Sequence, residues 1–279
     1  MNPMLVTFQS LGSHGRLGNQ LFQIAVTLGA ARRNQCDFVL PPWKYSSFFK
    51  NPLPQSKYVP YEETHDELDF AYRPIDVRTS TNIWGYFQSE KYFEHCREEL
   101  RYYLTPNDKL LEMIDQDHRE FFRGIEHETI GSICVRRGDY IGHSGFVELA
   151  RTQYYRDALN LFDSATVWFV FSDEIDWCEA YFARSEFSQN RFVYVRPCHK
   201  LVGLFLMASC PNNIIANSTY PWWGAWLNTC PGKRVIAPDV WFSGPFLDRT
   251  KPYFRERGFH DTKDLIPADW EKIHVATLY

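Results

Sequence analysis

"IGSICVRRGDY", residues 130–140, runs from an uncharged segment straight into two arginines, a glycine and an aspartate. A run of this length bounded by a turn signal reads as a strand buried on both faces, the kind that parallel sheets use. Downstream the alternation continues, with strands at Val167 to Phe171, Phe192 to Val195, Asn213 to Ala216 and Arg234 to Ala237. Between them fall helices at Gln153 to Phe162, Asp173 to Ala183, Leu201 to Ser209 and Trp222 to Asn228. Strands interleaved with helices predict an α/β domain built on a parallel sheet.

Upstream, Leu5 to Phe8 reads as a strand and GRLGNQLFQIAVTLGAARR, residues 15–33, as a loop entering an amphipathic helix with apolar Leu21, Ile24, Ala25 and Leu28. A second strand is expected at Phe38 to Leu40. Prolines at 41, 42, 52, 54 and 60 then predict an irregular excursion whose aromatics would suit an acceptor wall. Thr105, Pro106 and Asp108 have the chemistry of a helix cap, first-turn proline and first-turn acid, and start a helix to about Phe122, which Gly124 ends. The loop near Gly124 to Glu128 is the expected domain boundary, dividing the chain into 1–126 and 127–279.

The 279 residues are 44% hydrophobic and 17% aromatic, enough to fill a sizeable core, and carry a formal charge of -4. That charge offers no general attraction to nucleic acid, so any phosphate must be met by local arginines. The seven cysteines contain no CxxC pair and read as reduced thiols. With no signal peptide and no apolar span of membrane length, the expectation is a cytoplasmic protein whose membrane contact, if any, is peripheral.

In parallel α/β sheets ligands bind beyond the carboxyl ends of the strands, and four polar clusters fall there. Gly15, Gly18, Asn19 and Gln20 can bring backbone N–H groups against an anion at a helix start, although a plain lead-in loop explains them as well. At Arg136 and Arg137 one guanidinium can face a diphosphate while the other turns back onto Asp139 or a carbonyl; a solvated turn is the alternative. Asp173 can cap the next helix or accept hydrogen bonds from a base or ribose. Asn217, Ser218 and Thr219 either cap a buried helix or form a second anion seat. Asp115-Gln116-Asp117 has the look of a metal-binding acid pair, but residues two apart on a helix face different ways, and no metal site is expected.

Together GRLGNQLFQIA, VRRGDY, FSDEIDWC and NNIIANSTYPWWGAWLN resemble glycosyltransferase family 11, the α-1,2-fucosyltransferases, in order along residues 10 to 240. The family usually carries histidine where Cys134 stands. The resemblance implies a GT-B-like α/β architecture of two Rossmann-like domains facing a cleft, with 1–126 on the acceptor side and 127–279 binding the nucleotide sugar. It also implies inverting transfer of L-fucose from GDP-β-L-fucose to the 2-hydroxyl of a terminal galactose in a glycan acceptor, with no metal or other cofactor. Arg136 and Asn19 are then the expected catalytic residues, with Asp139 beside them. Gly15, Gly18, Gln20, Arg137, Asp173, Asn217, Ser218 and Thr219 are the expected donor contacts. Asp139, Glu148 and His143 are candidates for the base. Acceptor selection is expected near Trp43 to Tyr61 and Trp84 to Phe87. The alternatives are transfer to a protein hydroxyl or another sugar position, and a non-catalytic carbohydrate-binding protein, to which the aromatics and the Arg-Gly-Asp string at 137–139 point.

Overall fold

Residues 4–125, 129–247 and 260–276 are described by a computed structural model of the chain. The chain divides into two units, one running to Leu111 with the returning segment that ends at Pro267, the other beginning at Glu112 and taking up the chain again from Ala268. The boundary expected at residues 126 and 127 lies outside the described residues.

The first unit contains β1 (Leu5–Thr7), α1 (Leu17–Arg33), β2 (Asp37–Phe38), β3 (Glu63–Asp66), β4 (Thr81–Trp84) and α2 (Arg97–Tyr103). Its sheet runs β2-β1-β4-β3, and every pairing is parallel. Helix α1 departs from the amphipathic expectation, because Leu17 through Ala31 are buried except Asn19. Its polar side chains are therefore bonded inward: Thr27 Oγ1 donates to the Gln23 carbonyl at 2.6 Å and Gln23 Nε2 to the His14 carbonyl at 2.7 Å. Arg32 and Arg33 in the last turn complement the helix dipole. The proline-rich excursion lacks regular strands or α-helix, as expected, but Trp43, Tyr45 and Phe49 are interior residues. Trp43 stacks on Phe49 with centroids 5.6 Å apart, so these rings are core and not acceptor wall; Tyr58 and Tyr61 are the exposed aromatics there.

Helix α3 (Asp108–Phe121) spans the division between the units. Its cap is Asn107, whose Oδ1 accepts the Leu110 N–H at 3.0 Å, two residues past the expected Thr105.

The second unit holds β5 (Ile130–Val135), α4 (Tyr154–Leu159), β6 (Val167–Ser172), α5 (Ile175–Phe182), β7 (Arg191–Tyr194), α6 (Lys200–Ser209), β8 (Asn212–Ile214), α7 (Thr219–Leu227), β9 (Arg234–Pro238) and β10 (Glu271–Ile273). All six strands pair in parallel in the order β10-β9-β8-β5-β6-β7. The chain thus builds outward from β5 through β6 to β7, then returns to the other side of β5 for β8, which is the doubly wound arrangement. Helix α7 starts three residues earlier than expected, at Thr219, with Pro221 tolerated in the first turn. Fully buried Trp168, Tyr154, Tyr155 and Ile133 belong to the core under this sheet, and Gly131 lies against the Trp168 ring, where any Cβ would collide.

Candidate active site

A doubly wound sheet leaves a crevice where the strand order reverses, here between the carboxyl ends of β5 and β8. Arg136 follows β5 directly, and Asn217, Ser218 and Thr219 follow β8 into α7. Two of the expected clusters therefore meet at the reversal, and Asp173, just past β6, joins them through Arg136.

Both guanidiniums are engaged. Arg136 pairs with Asp139 through Nη2 and with Asp173 through Nη1, and its Cζ lies 5.3 Å from the centroid of the Tyr140 ring. Arg137 is the inward arginine: its Nη1 bonds Glu148 at 2.5 Å, its Nε bonds Glu174 at 3.0 Å, and its Cζ sits 3.6 Å from the centroid of Trp177. Asp173 also accepts the Arg137 backbone N–H at 3.1 Å. Neither Ser172 nor Asp173 caps α5: Glu174 stands at its N-cap, and Ser172 Oγ accepts the Glu174 N–H at 3.0 Å ahead of the helix.

On the β8 side, buried Asn217 holds the loop. Its Nδ2 donates to the Val147 and Trp241 carbonyls, each at 3.0 Å, and its own carbonyl accepts the Tyr140 hydroxyl at 2.9 Å. Ser218 stands at the N-cap of α7 in extended conformation, and its side chain makes no capping bond. The helix therefore opens toward the crevice with the positive end of its dipole.

Sequence reasoning missed the tyrosines beneath this crevice. Tyr154 donates to the Ile215 and Ile236 carbonyls at 2.7 and 3.1 Å, and Tyr155 to the Cys134 carbonyl at 3.0 Å. Burial pushes both phenols well above their usual range, so they stay protonated donors. The paired tyrosines at a helix start were visible in the sequence, but their main-chain partners were not. Cys134 is buried, and burial, with Asp173 adding to it, pushes its thiol far up. At this position it is a neutral packing group and no substitute for the imidazole usual in the resembled family.

The base candidates are all held by neighbours. Asp139 pairs with Arg136 and Glu148 with Arg137, while His143 Nδ1 receives the Gly145 N–H at 3.0 Å. Asp115 pairs with Arg119 along α3 at 2.8 Å. Among the described residues no group of three or more His, Cys, Asp or Glu side chains is placed to hold a metal ion.

In the first unit, Gly15 has φ +82°, and a Cβ there would strike the Asn19 side chain. Gly18 lies inside the first turn of α1. Asn19 Oδ1 accepts from Gln88 Nε2 at 3.1 Å. Gln20 is buried, with Nε2 on the Gly15 carbonyl at 3.0 Å and Oε1 receiving the Trp43 indole N–H at 2.9 Å, so both ends of its amide tie the loop down. The carboxyl ends of β1 and β4 carry His14 against Tyr86, with centroids 4.5 Å apart, and against Trp84 at 5.2 Å. Glu67 accepts the Tyr86 and Phe87 N–H groups at 2.8 and 2.9 Å and holds Phe87 at φ +50°.

Parallel α/β units with guanidinium and helix-start groups at a strand reversal define a protein with an anion-binding crevice of the kind that takes nucleotides. The family is shown directly, since the model of Glycosyl transferase family 11 matches residues 11–257, and the chain belongs to that family. It is 33% identical over 204 residues to the O-antigen biosynthesis glycosyltransferase WbnK of Escherichia coli, covering 70% of this chain and 64% of the relative. An alpha-1,2-colitosyltransferase of Escherichia coli is 32% identical over 183 residues, 63% of this chain and 61% of the relative. The chain thus spans under two thirds of the length of these two relatives. Galactoside alpha-(1,2)-fucosyltransferase 2 of Sus scrofa is 25% identical over 280 residues, 90% of this chain and 78% of the relative.

Among solved structures, NodZ alpha-1,6-fucosyltransferase soaked with GDP-fucose superposes with a TM-score of 0.51 at 14% identity, covering 85% of this chain and 95% of that one. Fucosyltransferase NodZ from Bradyrhizobium, as the selenomethionine form, gives a TM-score of 0.54 at 15% identity, covering 88% and 97%. These likenesses carry the α/β, GT-B-like fold class expected from the sequence.

Proposed function

We propose that the protein is an inverting α-1,2-fucosyltransferase that moves L-fucose from GDP-β-L-fucose to the 2-hydroxyl of a terminal galactose without a metal ion. The observation that carries this reading is the meeting of Arg136 with the opening of α7 at the β5/β8 reversal. The α-1,2 linkage of the colitosyltransferase and the mammalian relatives supports the regiochemistry, and the GDP-fucose soaked into NodZ supports the donor.

The acceptor oxygen attacks C1 of fucose on the face opposite the diphosphate, and the C1–O bond to GDP breaks as the new bond forms. Charge accumulates on the departing β-phosphate, where Arg136 and the Thr219 N–H at the opening of α7 receive it, the Ser218 N–H being held by the Ala216 carbonyl at 2.7 Å. The hydroxyl proton leaves to water on the acceptor face, and the departing phosphate, whose last pKa is about 6, takes up a proton from solvent on its own side, so the step balances without a dedicated base. Asn19, set by Gly15 and Gln88, is assigned to the sugar, and the residues about Trp84 to Phe87 to the acceptor. Seven unpaired cysteines suit a reducing, cytoplasmic compartment.

The test is incubation with labelled GDP-fucose and β-galactosides in EDTA, followed by linkage analysis. A 2-linked fucosyl galactoside is the expected product. Absence of transfer to any galactoside, or a different linkage, contradicts the reading.

A further inference from the structure

We propose that Asp139 occupies the part of the Arg136 guanidinium that a sugar-nucleotide diphosphate takes, so that donor binding exchanges one anion for another while Asp173 stays. The inference rests on reading the β5/β8 crevice as the donor site.

Arg136 uses one terminal nitrogen on each aspartate. A guanidinium recognises a phosphate through its paired N–H fork, so a phosphate in line with that fork needs one of these carboxylates to leave. Local charge makes the same demand. Among the described residues whose ion pairs join here, Arg136, Arg137 and Arg151, the last 3.9 Å from Glu148, are three guanidiniums set against the four carboxylates of Asp139, Asp173, Glu148 and Glu174, a net charge of minus one within that set. An anion entering with its own charges gains little until a carboxylate moves off the guanidinium.

The structure distinguishes the two partners. The Asp173 side chain is 26% exposed and is anchored a second time by the Arg137 backbone N–H at 3.1 Å. It also packs so closely on Gly138 that any Cβ there would collide with its carboxylate. The Asp139 side chain is 52% exposed, the most exposed of the four carboxylates. It reaches Arg136 from the short turn Gly138–Tyr140, only three residues along the chain. The Arg136 side chain is only 16% exposed and has the Tyr140 ring against it, with the Tyr140 hydroxyl tied to the Asn217 carbonyl. The guanidinium therefore keeps its place when Asp139 swings out. Asp139 is an affinity-setting residue and Asp173 a positioning residue.

The two aspartates then have opposite signs. Asp139→Asn removes the competing charge and should tighten GDP binding by roughly two- to fivefold, the worth of an exposed ion pair. Asp173→Asn loosens the guanidinium and should weaken GDP by about tenfold or more, as expected for a bond to a charged group. If both acids were merely structural, both substitutions would weaken binding.

The experiment is calorimetric titration of GDP into the full chain and the two variants, at fixed low salt in EDTA, with melting curves to establish folding. GDP binding by the unsubstituted chain and tighter binding by D139N support the exchange. If the unsubstituted chain binds GDP and D139N binds it equally or more weakly, the exchange is wrong and the donor-site reading survives. If the unsubstituted chain does not bind GDP, the donor-site reading fails and the exchange falls with it. D139N decides the sign by itself should D173N melt without a cooperative transition.

Discussion

Arg136 is the residue on which the proposed chemistry turns, and lysine cannot reproduce its planar fork between two aspartates. Arg136→Lys should keep the melting temperature near that of the parent and lower kcat/KM for transfer by about a hundredfold or more, the usual cost of removing a preorganised charge-stabilising donor. Near-normal turnover would remove Arg136 from the mechanism. Tyr154 tests the scaffold beneath it. Tyr154→Phe removes the hydroxyl from the buried Ile215 carbonyl, while the Ile236 carbonyl keeps the Ile215 N–H at 2.9 Å, and should cost about 1 to 3 kcal/mol in denaturant unfolding. A change within error would show that the Ile215 carbonyl finds another partner.

The difference between these residues is also a difference in legibility. Arg136, Asp173 and Ser218 were readable because each follows a recognisable strand, and parallel sheets present ligand groups there. Tyr154 and Tyr155 were not, because their acceptors are main-chain atoms 61 and 21 residues away, which no local pattern reports. Gln20 and Asn217 show the reverse limit. Their polarity suggested ligand contacts, but each amide is buried and joins separate stretches of backbone or side chain.

Among the elements, β5 carries the architecture, pairing with β6 along its whole length and with β8 on the other side. Gly131→Ala forces a Cβ into the fully buried Trp168 ring and should destabilise the second unit by about 1 to 3 kcal/mol, read from its denaturation midpoint. An unchanged midpoint would mean that the ring can shift. The strands of the second unit were legible because continuous apolar runs are bounded by charged or glycine-containing turns. Strand β4 was not, although it is central in its sheet, because Thr81–Trp84 is short and half polar. Helix α3 began late because Asn107 caps it, in competition with a plausible Thr105-Pro106 start. The buried polar face of α1 was hidden for a related reason: Gln23 and Thr27 read as surface until their partners are known.

For the molecule as a whole, alternating strands and helices made two parallel α/β units legible, but the chain's return to the first unit was not. Asp264, from that returning segment, takes the Lys91 ammonium at 2.5 Å and the Tyr72 N–H at 3.0 Å, contacts across more than 170 residues. Stability should also depend on pH in a defined direction. Burial lowers the pKa of His14 and His65 below the 6.5 of a free imidazole. Between the folded values and 6.5 the unfolded chain holds more protons, so stability rises with pH there and is lost on acidification from about 6.5 downward. Unfolding midpoints between pH 7.5 and 5 should fall accordingly, and His14→Gln should flatten the slope. A midpoint that rises on acidification would contradict the assignment.

The central claim is that the diphosphate of the donor sits at the reversal between β5 and β8. A crystal structure of the chain with GDP tests it most directly. β-Phosphate oxygens are expected within hydrogen-bonding distance of the Arg136 guanidinium and the Thr219 backbone N–H, with Asp173 still on Arg136 and Asp139 released. GDP bound elsewhere, with Arg136 still held by both aspartates, would contradict it.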